Sequence, residues 1–174
     1  MRPPVDSDRI RAFARELGRE ARGATKLYLT GGATAVLHGW RPSTVDIDVR
    51  FEPEADELLL AVARLKEQLD VNVELTSPPD FIPELPGWRD RSPYLFSEGA
   101  VDVHEFDPYS QALSKIERGF AQDLEDVRAM LRDGLVDRGR LSDLFDEIEP
   151  KLFRYPAIEP EAFRRKLERA IAGD

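Results

Sequence analysis

The stretch TGGATAVLHGWRPSTVDIDVRF, Thr30 to Phe51, decides how this chain is read. Paired glycines, Gly31 and Gly32, follow the apolar run KLYLT. A short helix-forming segment, ATAVLHG, comes next. The run TVDIDVRF then sets Val45, Ile47 and Val49 against Asp46, Asp48 and Arg50. That alternation has the period of a half-buried strand. Residues two apart on a strand face the same way, so Asp46 and Asp48 are expected side by side. Two carboxylates in that position repel each other, and a divalent cation removes the penalty. Hard oxygen ligands suit magnesium, which takes one or two carboxylates and completes its shell with water and phosphate oxygens. Glycines lack the Cβ that keeps a backbone away from a ligand. A helix opening just after Gly32 would aim its free amides at a phosphate.

Outward from this stretch, helices and strands mix. The segment DSDRIRAFARELGREAR places Ile10, Phe13 and Leu17 on one face, with Ser7 as the expected cap. PEADELLLAVARLKEQLD reads as a helix with Pro53 in its first turn, and VNVELT and AVDVHEF read as strands. Between those strands lies the proline-rich SPPDFIPELPGWRDRSPYLFSEG, too long for an ordinary loop and too apolar for a linker. It is expected to be an ordered excursion beside a functional surface. After Asp107 the pattern turns helical, with a break at Gly119 and a helix start at Pro160. The expectation is an α/β (α+β) fold, a mixed sheet flanked by helices over residues 1–107 with a helical C-terminal part over 108–174.

Composition narrows the function. The net charge of −9 argues against broad binding of DNA or RNA, which needs a basic face. The absence of cysteine removes disulfides, thiolate metal sites and cysteine nucleophiles. With two histidines, His38 and His104, a histidine-rich metal centre is not expected. His38 reads as packed or solvent-facing. His104, between Asp102 and Glu105, makes a poor transition-metal site. Trp40 and Trp88 read as packing residues, and the basic run FRRKLERA as an exposed helix face. No apolar run is long enough to span a membrane, and the start has no signal-peptide core, so a soluble cytoplasmic protein is expected.

The glycine pair, the run RPSTVDID (41–48) and the later KIERGFAQDLEDV (115–127) resemble the signature of the nucleotidyltransferase superfamily that includes DNA polymerase β. They look most like the AbiEii-like and DUF6036-type minimal nucleotidyltransferases, several of which are toxins of bacterial toxin–antitoxin pairs. The resemblance covers about two thirds of the chain. It implies a nucleotidyltransferase-like sheet and transfer of a nucleoside monophosphate from an NTP to an acceptor hydroxyl. The acceptor would be a tRNA end, a protein or a small molecule, and an antitoxin would be a partner. Asp46 and Asp48 would be catalytic ligands of two Mg²⁺ ions, with Gly31 and Gly32 near the triphosphate. A third carboxylate is expected from a later strand, with Glu74 the first choice and Asp102 close behind. Lys115 would reach the triphosphate, and Asp123 would lie near the nucleotide. Arg41 and Thr44 would brace the metal strand, with Arg41 also able to meet phosphate. The alternative reading is a non-catalytic relative that binds a nucleotide or a protein partner.

Overall fold

The computed structural model describes residues 1–173. The chain divides into two compact units. One comprises Met1–Ser77 with Ser92–Phe106, and the other comprises Pro78–Arg91 with the chain from Asp107 onward. Among the described residues no helix is long and apolar enough to cross a membrane.

The first unit is built on a five-stranded mixed sheet. Its strands are β1 (Thr25–Thr30), β2 (Asp46–Glu52), β3 (Asn72–Glu74), β4 (Tyr94–Glu98) and β5 (Val101–Glu105), in the order β3-β2-β1-β5-β4. β1 runs antiparallel to β2 and parallel to β5, β2 is parallel to β3, and β4 is antiparallel to β5. The helices α1 (Ser7–Glu20), α2 (Gly32–Leu37) and α3 (Asp56–Gln68) belong to this unit. α1 buries Ile10, Phe13 and Leu17, the stripe read from the sequence, together with Ala14. These side chains join Leu27, Leu29, Ile47, Val49, Val101 and Val103 in one core. Each fully buried Leu, Ile or Phe there contributes about 1.5–3 kcal/mol.

The capping differs from the expectation. Asp6, not Ser7, caps α1, its carboxylate accepting from the Arg9 amide at 2.9 Å. A carboxylate does the same work as a hydroxyl and also meets the positive end of the helix. Pro53 lies outside α3, which starts at Asp56 after Ala55. The reason is that β2 stays paired with β1 through Glu52, opposite Lys26, so residues 53–55 are used to leave the sheet. Val45 is 68% exposed rather than core-facing, because β2 begins one residue later. The proline-rich excursion is ordered, and it contains two elements that periodicity did not separate. A 3-10 turn spans Pro78–Asp80, and β4 forms a hairpin with β5.

The second unit is helical: α4 (Pro108–Arg118), α5 (Ala121–Arg132), α6 (Arg138–Ile148) and α7 (Pro160–Ala172). Each start carries its own local reason except that of α5, where Phe120 makes no side-chain cap bond. Asp107 caps α4 with Pro108 in its first turn, Asp137 caps α6, and Glu159 caps α7 with Pro160 following. Gly119 closes α4 with a left-handed φ of 73°, as its place between two helical patterns suggests. Trp88, Leu144, Phe145, Ile148 and Phe163 are among its buried residues, and the Phe145 and Phe163 rings meet edge-on at 4.9 Å.

Candidate active site

β2 carries the acids because its burial alternates strictly. Ile47, Val49 and Phe51 are buried, while Asp46, Asp48, Arg50 and Glu52 are half-buried. Asp46 and Asp48 therefore share the face of the sheet opposite the apolar side chains of β2. Asp48 is the antiparallel partner of Thr30, the last residue of β1, and the chain turns there into Gly31. The paired glycines and the second acid are thus neighbours across one strand pair.

The fit is tight. Gly31 has φ of +64°, which L side chains rarely adopt, and a Cβ built on it would lie 2.6 Å from Oδ2 of Asp48. A Cβ on Gly32 would lie 2.1 Å from Oγ1 of Thr44 and 2.8 Å from its Cβ. The missing side chains are what let the turn rest against Asp48 and Thr44. Two further contacts fix the turn. Thr34 Oγ1 donates to the Gly31 carbonyl at 2.8 Å. Thr44 exchanges backbone hydrogen bonds with Val5, at 2.7 and 2.9 Å, so the segment before α1 clamps the loop leading into β2.

Two acids were offered for a third position, and the sheet places them differently. Glu74 on β3 is the direct parallel partner of Asp48, and Asn72 is the partner of Asp46. With Val73 buried between them, Asn72 and Glu74 face the same way as Asp46 and Asp48. Asp102 on β5 aligns with Lys26, which in turn faces Glu52, at the far end of β1 from Thr30. Its carboxylate accepts a 2.5 Å hydrogen bond from Ser97. Among the described residues no group of three or more His, Asp or Glu side chains is arranged to hold a metal ion. The β2 pair is nevertheless a donor set of the hard-oxygen kind that magnesium accepts, and the bare glycine backbone lies directly against the Asp48 carboxylate.

Lys115 and Asp123 lie in the second unit. Lys115, only 5% exposed on α4, is 2.7 Å from Oδ2 of Asp126 and 3.6 Å from Oδ1 of Asp123. Arg118 completes the cluster with bonds of 2.6 and 2.7 Å to Asp123. Burial alone would push the Asp123 carboxyl up. The Arg118 hydrogen bonds and the charges of Lys115 and Arg118 outweigh it and hold the group below its ordinary value. Asp123 and Asp126, three apart on α5, thus meet both basic side chains of α4.

One pairing escaped the sequence reading. His38, at the end of α2, lies 2.8 Å through Nε2 from the Glu105 carboxylate and stacks on Trp40 with ring centres 4.6 Å apart. Glu105 is 2% exposed and shares a pocket of about 190 Å³ with Arg11, Thr34 and Phe96. The signal was the alternation in VDVHE, which puts Glu105 on the same side as Val101 and Val103. An acid on an apolar face needs a partner. His104 instead contacts the Ser92 carbonyl at 3.1 Å and packs between the Tyr28 and Tyr94 rings.

A mixed sheet whose glycine turn rests on a strand carrying two carboxylates belongs with the nucleotidyltransferases. Residues 8–167 match the family described as nucleotidyltransferase of unknown function (DUF6036), and the chain belongs to that family. No curated protein and no solved structure matches with significance. The family's activity carries an NTP as substrate and usually a magnesium ion.

Proposed function

We propose that the chain transfers a nucleoside monophosphate from an NTP to an acceptor hydroxyl, using Asp46 and Asp48 beside the Gly31–Gly32 turn. The observation that carries this reading is the packing of the Asp48 carboxylate against Gly31, with Asp46 on the same face of the strand. In the transfer, the acceptor oxygen forms a bond to the α-phosphorus. The bond from that phosphorus to the bridging oxygen breaks, pyrophosphate leaves with the electron pair, and the acceptor proton passes to a base or to water. Magnesium, held by Asp46 and Asp48, would neutralise charge on the phosphates and on the attacking oxygen. The chain's own residues do the positioning. Gly31 and Gly32 let backbone approach the triphosphate, and this approach matters more than a helix dipole because α2 has only 6 residues. Thr34 and Thr44 hold the turn, and Arg41 is offered for phosphate. Glu74, in register with Asp48, is the preferred third carboxylate.

A tRNA end, a protein side chain and a small molecule remain the acceptors to be tried, and a toxin role would bring an antitoxin partner. The test is transfer of labelled NTP into total RNA and protein by wild type and by Asp48→Asn. Labelling that needs Asp48 supports the reading, and equal labelling by both proteins removes it. A second reading, a non-catalytic nucleotide-binding relative, is favoured by one observation: no third acid converges on the pair among the described residues. It predicts a thermal shift with an NTP and no transfer.

A further inference from the structure

In the second unit, α4, α5 and α7 border a groove of about 420 Å³. Its lining includes the apolar Ile116, Leu124 and Ala170, together with Arg128, Lys166 and Arg169. The arrangement follows from helical spacing. Leu124 and Arg128 are one turn apart on α5, and Lys166, Arg169 and Ala170 share a face of α7. Among the described residues no acidic side chain lines the groove.

The cations there have no carboxylate partner among the described residues. The net charge is −9, and several arginines of the same unit do have one: Arg118 with Asp123, Arg164 with Asp146 and Glu149, Arg165 with Glu159. Arg128 and Arg169 have no ion pair or side-chain hydrogen bond among the described residues. Lys166 donates to the Glu117 carbonyl, at 2.6 Å, and has no ion pair among the described residues. On so acidic a surface, a cluster of cations without acids of its own complements an anionic ligand. The ligand must also suit an apolar wall. None of the lining residues is aromatic, so bases would find nothing to stack on, which disfavours single-stranded nucleic acid. Acids interleaved with aliphatic side chains satisfy both halves of the groove at once.

We propose that this groove binds an acidic amphipathic helical segment of a partner protein. The partner's carboxylates would meet Arg128, Lys166 and Arg169, and its aliphatic side chains would lie on Leu124 and Ala170, over the buried Ile116. The proposal does not rest on the nucleotide reading.

The probe is a phage-displayed library of random helical peptides, panned on the immobilised full chain, with a short RNA hairpin and size-exclusion chromatography as controls. Selected peptides should be enriched in Glu or Asp at helical spacing with Leu or Ile. The double variant Arg128→Glu/Arg169→Glu should weaken them at least about tenfold, with an unchanged melting temperature. Leu124→Ser should weaken them with no change in salt dependence. Raising salt from about 0.1 M to about 1 M shortens screening from about 10 Å to about 3 Å and should weaken wild-type binding. Peptides without acidic enrichment, or equal binding to the double variant, overturn the proposal. So does hairpin binding or self-association that the double variant abolishes while no peptide is selected.

Discussion

The aspartates of β2 and those of α5 are alike on paper: each set is a close pair on one face of its element. The surroundings differ. Asp123 and Asp126 are 3% and 2% exposed and are met by Lys115 and Arg118 from α4. Asp46 and Asp48 stand half-buried, side by side on the strand, and Asp46 has no ion pair among the described residues. Like charges roughly 7 Å apart near a surface repel by about 2 kcal/mol. The α5 acids are neutralised within the fold and contribute to it. The β2 acids lie side by side on one strand face, the kind of hard-oxygen donor pair that a divalent cation accepts. If the contrast is real, changing one pair should damage stability and changing the other should damage activity.

The largest expected effect is in the α4–α5 cluster. Lys115→Met leaves two buried carboxylates facing one guanidinium, and losing one partner of a buried pair costs about 3–5 kcal/mol. Urea unfolding should show it. Restoring apolar balance with Lys115→Met/Asp126→Leu should recover a good part of the loss. A Lys115→Met protein as stable as wild type would mean that the cluster is not holding the helices together. Next comes Asp48→Asn, expected to lower nucleotide transfer by about a hundredfold or more, roughly 2.7 kcal/mol of transition-state stabilisation. Asp46→Asn should act in the same direction. Removing the Asp46 charge relieves repulsion, so the melting temperature of Asp46→Asn should hold or rise. A fall in stability with activity intact would reverse the assignment of the two pairs.

How much of this was legible in the sequence follows from which forces are local. The stripe on α1, the alternation of β2 and the break at Gly119 depend on near neighbours, and the structure shows each of them. The shared face of Asp46 and Asp48 is likewise a property of one strand. The alignment of Glu74 with Asp48 is not, because it depends on the order β3-β2-β1, which no single segment encodes. The same limit hid β4, whose hydrogen bonds all go to β5, and the partnership of His38 with Glu105, residues joined by the sheet's crossover and not by spacing. The start of α3 was misread because Pro53 suits a first helical turn, while the pairing of Glu52 with Lys26 holds the chain extended.

Smaller effects sharpen the β2 side of the contrast. Gly31→Ala forces a Cβ to 2.6 Å from the Asp48 carboxylate and strains a φ of +64°. It should cost about 1–3 kcal/mol in urea unfolding and displace the carboxylate, so transfer should fall further than stability. Glu74→Gln and Asp102→Asn make a matched pair. The first changes an acid in register with Asp48 and should lower transfer about tenfold, roughly 1.4 kcal/mol. The second changes an acid held by Ser97 at the other end of β1 and should leave transfer unchanged. The opposite result would move the third carboxylate to β5.

The smallest effect concerns acid. Asp123 is held below its ordinary value near 3.8, burial opposing and the Arg118 hydrogen bonds and Lys115 charge prevailing. The unfolded chain therefore takes up that proton before the folded chain does. The stabilisation is complete above the unfolded value and is lost as pH falls through the folded one. Urea midpoints of wild type and Asp123→Asn, measured from about pH 7 to about pH 2, should differ most at neutral pH and converge in acid.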